Sequence, residues 1–385
     1  MVVVVHGGNA VSGGKLLRFV ARTHLWRGST ATHSTAAIPS SHIVLDRKNG
    51  HEGNTSATIT KYVASGSNSH SVRPPTLIST SETELVDSLL RRTEGLIGTL
   101  SSNVIAYSGG VDSSLAAALV HRVFTEQTGS NSGSSPQGSV TAVLGLSPAV
   151  PSEQIDTARS VAAAIGVNLL EVTTEEGSDS TYIANRGEAC LACKTHLYSA
   201  LNAVAKAASD SGKTLRGRSV VLYNGTNADD TKDPTRLGLV AASNFRVESP
   251  LLHTTKSDVR RAAKHLGLPN WNHAAAPCLR SRLAFGVEAT RRHLENVGEA
   301  ERRVRKTLKL DQSINMRVRY LAGKRAMVEL DKEILHEKDA EATLRSEGFD
   351  EVFSKLGFQS YGVRAFKSGS VAAVPNGARN QSQRL

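Results

Sequence analysis

Aromatic residues are scarce in this 385-residue chain, at 4% with only 2 Trp. Stacking platforms for unpaired bases are therefore hard to assemble, which speaks against single-stranded nucleic acid as a partner. Cysteine is scarcer still, at 3. Three unevenly spaced thiols cannot build a disulfide framework, so they point to a reducing compartment and a chemical use. No apolar run approaches the length of a membrane span, so no membrane partner is expected. A Gly-x4-Gly-Lys-Ser/Thr string is absent, which argues against Walker-type transfer of a γ-phosphate. Acidic residues are missing from the first 45 positions, although Lys15, Arg18, Arg22 and Arg27 fall there. Part of the formal charge of +11 thus sits at the amino-terminal end, and the rest suits an anionic substrate.

Residues 1–75 show no convincing periodicity and are rich in Ser, Thr, Gly, His and Asn. They read as a disordered leader with the composition of a mitochondrial or plastid transit peptide; without that signal the protein is cytoplasmic. Ser81-Glu82-Thr83-Glu84, followed by Leu85, Leu89 and Leu90, is a capped amphipathic helix. From Asn103 onward strands alternate with helices, which predicts an α/β domain over 76–286, a doubly wound parallel sheet covered on both faces. Its strands are expected at Val104–Tyr107, Val140–Leu146, Asn168–Thr173 and Ser219–Tyr223, with a Ser/Gly-rich linker at Gly129–Gly138. Beyond residue 287 the character shifts to a smaller α+β domain over 287–370, read as substrate-binding, with one helix over Lys332–Glu347, and 371–385 is a polar tail.

The apolar strand Val104–Tyr107 runs into the apolar helix starting near Leu115 through Ser108-Gly109-Gly110-Val111-Asp112-Ser113. Such a turn is an anion site. Gly109 and Gly110 let a ligand approach the main chain, the first N–H groups of the helix favour phosphate oxygens, and Ser108 and Ser113 add hydroxyl donors. Asp112 is placed to hold Mg2+ on the phosphates. A second polar string, Asn224-Gly225-Thr226-Asn227-Ala228-Asp229-Asp230, closes a later strand, where ligands sit in open parallel sheets. Ser108 to Ser113 resembles the PP-loop of the ATP pyrophosphatases, of the adenine nucleotide alpha hydrolase-like fold, which split ATP between the α and β phosphates and adenylylate an acyl oxygen. The resemblance implies an ATP site made of Ser108, Gly109, Gly110, Asp112, Ser113, Asn227, Asp229 and Lys256.

Cys190 and Cys193 share one face of a predicted helix and can reach one metal or cluster, or they are small buried hydrophobes. Cys190-Leu191-Ala192-Cys193-Lys194, Gly225-Thr226-Asn227-Ala228-Asp229-Asp230, Ser249-Pro250-Leu251-Leu252 with Lys256 and Arg260, and Pro277-Cys278-Leu279-Arg280-Ser281-Arg282 follow the PP-loop in order. Together these strings resemble the LarE-type sulfur transferases of nickel-pincer nucleotide biosynthesis, and the likeness covers roughly residues 80–370. It implies adenylylation of a carboxylate of pyridinium-3,5-biscarboxylic acid mononucleotide and replacement of an oxygen by sulfur. It also implies Cys278 as the sulfur-bearing, catalytic cysteine beside Asp112. One branch of the family sacrifices that cysteine; another holds a [4Fe-4S] cluster on three cysteines, the arrangement found here as Cys190, Cys193 and Cys278. Zinc with His196 or His273 is the rival metal. Arg317 and Arg319, two apart on a predicted strand, face one way and suit a bidentate grip on an anion. The resemblance places the substrate there, with Arg282 beside it. The chain departs from the family's pattern at Arg364–Ser370, only a partial match, and in its long leader. A PP-loop tRNA thiolase with an iron–sulfur cluster, or a non-catalytic nucleotide or iron–sulfur binding protein, are the alternatives. The first usually carries further zinc-binding cysteine pairs, and none remain here. The sulfur source and self-association into a homo-oligomer are left open by the sequence.

Overall fold

The computed structural model describes residues 10–12, 15–21, 41–46, 58–62, 80–129, 138–210, 219–232, 237–337 and 339–367. The chain divides into two compact units: Met1–Leu146, Asp156–Glu175 and Lys194–Trp271 form the first, and Ser147–Ile155, Glu176–Cys193 and Asn272–Leu385 the second. Among the described residues no helix is long and apolar enough to cross a membrane.

In the first unit, β5 (Ser102–Tyr107) is buried at every position. Burial on both faces selects a continuous apolar run over an alternating one. Parallel neighbours flank it: β6 (Ser139–Leu146) on one side with β7 (Asn168–Thr173) beyond, and β8 (Val220–Tyr223) on the other. The chain runs β5, α2 (Val111–Gly129), β6, α3 (Ser152–Ile165), β7, then returns to place β8 against the free side of β5. Strand order therefore reverses between β5 and β8, and the crevice beyond their carboxyl ends is where such sheets bind ligands. The register sets Ile105 opposite Tyr223, so the loops after Tyr107 and Tyr223 leave the sheet side by side. The expected doubly wound α/β sheet is present.

Four short strands precede this sheet: β1 (Ala10–Ser12), β2 (Lys15–Ala21), β3 (Ser41–Asp46) and β4 (Thr58–Tyr62). They pair antiparallel in order, and β4 pairs antiparallel with β7. The leader was expected to carry no regular structure; the edge of β7 supplies unpaired backbone groups for a neighbour whatever its side-chain period. The rest of residues 1–75, and with it most of the transit-peptide reading, lies outside the described residues. Helix α1 (Thr80–Glu94) buries Val86, Leu89 and Leu90 in one cluster with Leu115 and Leu119 of α2 and Val259 and Ala262 of α7 (Lys256–His265).

The second unit takes the first residues of α3, α4 (Ser180–Ala184) and the first residues of α5 (Ala189–Asp210), which crosses between the units at Cys193 and Lys194. α6 (Leu237–Asn244) belongs to the first. The remainder is α8 (Arg291–Thr307) over a three-stranded sheet: β9 (Met316–Leu321) and β10 (Arg325–Leu330) form a hairpin, and β11 (Ser360–Ala365) lies parallel to β10. Thr290 caps α8 by accepting from His293 N, and Leu294, Val297, Ala300 and Val304 recur at helical spacing on its buried face. The single helix expected over 332–347 is instead α9 (Lys332–Glu337) and α10 (Ala340–Ser346), followed by α11 (Phe349–Lys355). Asp339 takes φ +38°, a left-handed setting that Asp tolerates and a helix interior does not. Ala149, Tyr182, Ala189 and Leu279 join the core of this unit, with Cys193 and Cys278 packed against it. All three cysteines thus belong to the second unit, where the sequence placed them inside or at the edge of the nucleotide domain.

Candidate functional site

In the first unit the loop after β5 is held shut by its own side chains. Ser113 Oγ donates to the Gly110 carbonyl at 3.0 Å and accepts from Ser108 N at 3.2 Å, and it lies 3.1 Å from Ser108 Oγ. Ser113 Oγ, expected as a phosphate donor, here closes the turn on the Gly110 carbonyl. Gly109 has φ +73°, and a Cβ there would sit 2.5 Å from Ala158 Cβ. Only glycine meets both demands. Asn270 donates to Gly109 O at 2.8 Å and to Ser114 Oγ at 3.0 Å, pinning the loop from outside. What remains for a ligand is the first turn of α2, whose opening N–H groups have no acceptor within the helix.

The loop after β8 meets this turn. Asn227 Nδ2 donates to Asp112 Oδ1 at 3.0 Å, and Lys256 Nζ forms an ion pair with Asp112 Oδ2. The N–H of Lys256 donates to Asp229 Oδ2 at 2.7 Å, and Lys232 pairs with Asp229 Oδ1. The Lys232 hydrogen bond, then the Lys256 N–H, hold the Asp229 carboxyl below its usual range. Asp112, Asn227, Asp229 and Lys256 are thus brought together as the sequence required. Two carboxylates along one lysine fit a magnesium ion that arrives with nucleotide phosphates, since such an ion takes one or two carboxylates and draws its other ligands from phosphate and water.

The second unit collects the cysteines. None is in a disulfide. Arg280 Nη2 donates to Cys190 Sγ at 2.7 Å and Nη1 to Asn185 Oδ1 at 2.8 Å. Burial alone would lower the Arg280 pKa, but Cys278 first and Cys190 next outweigh it and leave it raised. Burial raises the Tyr182 hydroxyl, and the leading charges it feels are Cys278 and then Cys193. Two neighbouring side chains, Arg280 and Tyr182, therefore sense all three sulfurs. Among the described residues no three His, Cys, Asp or Glu side chains come together as a group that could hold a metal ion. The donor set a cluster would use, one thiolate on each of three irons, is Cys190, Cys193 and Cys278.

Arg282 is 2% exposed and bidentate on Glu301, with Nε to Oε1 at 2.9 Å and Nη2 to Oε2 at 3.1 Å. Its Nη1 donates to the carbonyls of Pro277 and Cys278. A residue expected to hold substrate is spent largely on fixing the backbone of Cys278. Arg319 donates Nε to Glu329 and Nη1 to the Ser281 carbonyl, and Arg364 lies on the other oxygen of Glu329. Arg317 donates to the carbonyls of Met316 and Ala275 and lies over the Phe366 ring. The two arginines share a face as expected, yet only Arg317 reaches the wall of a cleft, whose charged lining also includes Arg282, Arg302, Arg305, Glu153 and Glu301. Burial, then the Arg282 guanidinium, brings Arg317 down to about 10. It stays charged at neutral pH in a cleft where cations outnumber carboxylates. Asn185, Asn270, Glu301 and Glu329 escaped sequence reasoning, since an isolated Asn or Glu carries no motif.

No family model matches the chain. It is 34% identical over 219 residues, 56% of its length and 74% of the relative's, to an uncharacterized protein, slr1717, of Synechocystis sp.. Over 203 residues, 52% of this chain and 66% of the relative, it is 30% identical to pyridinium-3,5-bisthiocarboxylic acid mononucleotide synthase of Lactiplantibacillus plantarum. The chain thus spans just under two thirds of that synthase. NMN synthetase from Francisella tularensis aligns with 51% of this chain and 76% of its own, at a TM-score of 0.37 and 17% identity. With the identities to the two sequence relatives added to the PP-loop turn, its partner loop and the three ordered cysteines, the chain belongs to the LarE-type family of PP-loop proteins.

Proposed function

We propose that the protein is an ATP-dependent sulfur transferase, releasing AMP and pyrophosphate, that converts a carboxylate of pyridinium-3,5-biscarboxylic acid mononucleotide to a thiocarboxylate. The observation that carries this reading is the presence in one chain of two half-sites: an α2 amino terminus flanked by Asp112 and Lys256, and three cysteines around Arg280 and Tyr182. A carboxylate oxygen of the substrate attacks the α-phosphorus of ATP, and pyrophosphate leaves with the electron pair. The first N–H groups of α2 stabilise the charge that builds on the departing oxygens. Asp112 would hold the magnesium ion that accompanies ATP, and Lys256, beside it, would pair with the phosphates. A sulfide held beside Cys278 then attacks the acyl carbon; the acyl C–O bond breaks, AMP leaves with the electron pair, and the sulfide's proton goes to solvent, giving the thiocarboxylate. Cys190, Cys193 and Cys278 would hold an iron–sulfur cluster, which would supply that sulfide. Arg317 takes the substrate's anionic group in the cationic cleft, while Arg282 and Arg319 hold the Cys278–Ser281 backbone in place.

Anaerobic incubation with ATP, magnesium, the dicarboxylate nucleotide and sulfide, followed by chromatography and mass analysis, tests the reading. AMP, pyrophosphate and a product heavier by the difference between sulfur and oxygen are expected. ADP and phosphate, or AMP with no sulfur-bearing product under any loading of the cysteines, refute it.

A further inference from the structure

Two of the arginines that line the cleft of the second unit have no carboxylate. Arg282 is bidentate on Glu301, and Arg302 places Nε and Nη2 on Glu299 at 2.8 and 2.7 Å. Arg305 and Arg317 also line the cleft, but among the described residues they donate to backbone carbonyls alone. Arg305 Nη1 reaches Asp311 O at 2.7 Å and Nη2 reaches Ile314 O at 3.4 Å. Arg317 Nη1 reaches Met316 O at 2.6 Å, and its Nη2 bonds Ala275 O. A guanidinium carries five N–H groups, so each of these side chains keeps more donors than it spends. Arg317 is 5% exposed and Arg305 is half-buried, where a cation without a counter-charge is costly. The other carboxylate of the lining, Glu153, accepts from Ser152 Oγ at 3.0 Å, and Gln154 and Gln312 add neutral amides. Arg305 also ties the loop between α8 and β9, but that tie leaves its charge uncompensated.

The cleft adjoins the cysteine loop. Ala274, Ala275 and Ala276 line it, and Arg282, which lines it too, donates to the Cys278 carbonyl. From Ala276 to Cys278 is at most about 7 Å of chain. Arg319, the expected partner of Arg317, is spent on Glu329 and the Ser281 carbonyl and does not line the cleft. Resting on the sulfur-transfer reading above, we propose that Arg305 is a further substrate-binding residue, gripping with Arg317 the phosphate of the mononucleotide in the place expected for Arg319. A phosphomonoester suits the pair better than a ring carboxylate does. It brings close to two charges and three terminal oxygens at neutral pH, against one charge and two oxygens. Planar guanidinium forks match that geometry. In a mononucleotide the ribose separates the phosphate from the ring, so a phosphate held here leaves the ring carboxylates for the chemistry beside Cys278.

Titration calorimetry on the full-length protein, with pyridinium-3,5-biscarboxylic acid mononucleotide and with its nucleoside, tests this without turnover. Wild type should favour the nucleotide. Arg305→Gln should weaken the nucleotide about 10- to 100-fold, the range for losing charge-assisted hydrogen bonds, and leave the nucleoside's affinity unchanged. Arg305→Lys keeps the charge without the fork and should fall between the two. A residue that only tied the loop would weaken both ligands alike. A second measurement needs no variant: phenylglyoxal labels guanidinium groups, and mass analysis of the digest reads each arginine. Ribose 5-phosphate, a phosphomonoester without the ring, should slow labelling of Arg305 in wild type about fivefold or more near saturation, and ribose should not. An Arg305→Gln protein with the wild-type preference for nucleotide overturns the proposal, as does Arg305 labelling that ribose 5-phosphate leaves unchanged. If the nucleotide binds with the expected preference but no thiocarboxylate forms, the sulfur-transfer reading fails and Arg305 keeps its role. If the nucleotide does not bind at all, that substrate is wrong, and the labelling contrast alone decides whether Arg305 holds a phosphate.

Discussion

Gly225 offers a sharp test of how the nucleotide loop is built. Its neighbours are backbone atoms: a Cβ added there would lie 2.6 Å from Asp112 C, 2.6 Å from Ser113 N and 2.8 Å from Asp112 O. Ordinary contact begins at 3.4 Å, so Gly225→Ala demands a separation of 3.4 − 2.6 = 0.8 Å. The loop cannot supply it by retreating, because Asn224 is held by Ser249 Oγ at 2.6 Å and Tyr198 OH at 3.2 Å. The first turn of α2 must move, which costs about 1–3 kcal/mol as overpacking and a Tm loss of roughly 2–12 °C. A shift of that size in phosphate-binding N–H groups should lower kcat/KM for pyrophosphate release on the order of 100-fold. The control is Gly129→Ala at the far end of the same helix, where nothing lies within 4 Å. There alanine should be neutral or stabilise by up to about 1 kcal/mol. Calorimetry with an enzyme-coupled pyrophosphate assay reads both. If Gly225→Ala keeps wild-type kcat/KM and Tm, the close packing of the two loops does not govern the ATP site.

Asp112→Asn keeps shape but leaves Lys256 without its counter-charge; pyrophosphate release should fall about 100-fold or more with little change in Tm, and normal activity would remove Asp112 from the phosphate machinery. Glu329 is fully buried between Arg319 and Arg364, so Glu329→Gln should cost about 3–5 kcal/mol in urea unfolding. Arg364→Ala, losing a partner 43% exposed, should cost at most about 1 kcal/mol. Glu301 feels burial first, which raises it, but Arg282 and the other donors outweigh burial and leave it lowered. A depressed carboxyl stabilises the fold above its unfolded pKa of about 4.3, and that contribution is lost as pH falls through the lower folded value. Tm should therefore drop steeply below about pH 4, and Glu301→Gln should flatten that slope.

The nucleotide loop was legible because its information is contiguous: an apolar strand, two glycines and an apolar helix state their own geometry. The function of individual groups was less so. Whether Ser113 donates to a ligand or to Gly110, and whether Arg282 grips substrate or the Cys278 carbonyl, depends on acceptors delivered by the fold. Asn270 is 161 positions from the Gly109 carbonyl it holds, and no local pattern announces such a pairing. Asp339 shows the same limit at shorter range: Lys332 to Glu347 has helical composition, and the left-handed Asp339 lies at the break between its two helices.

The interleaving of the two units also orders events on the ribosome. Cys193 precedes Cys278 by 278 − 193 = 85 positions, and the sheet of the second unit lies later still. At about 5–20 residues per second, the first two thiols emerge roughly 4–17 s before the third. During that interval they have neither Arg280 nor the β9–β11 core to pack against, and they are open to stray metals and oxidants. Any cofactor needing all three can be delivered only after Cys278 has emerged, and no single cut would release the second unit whole.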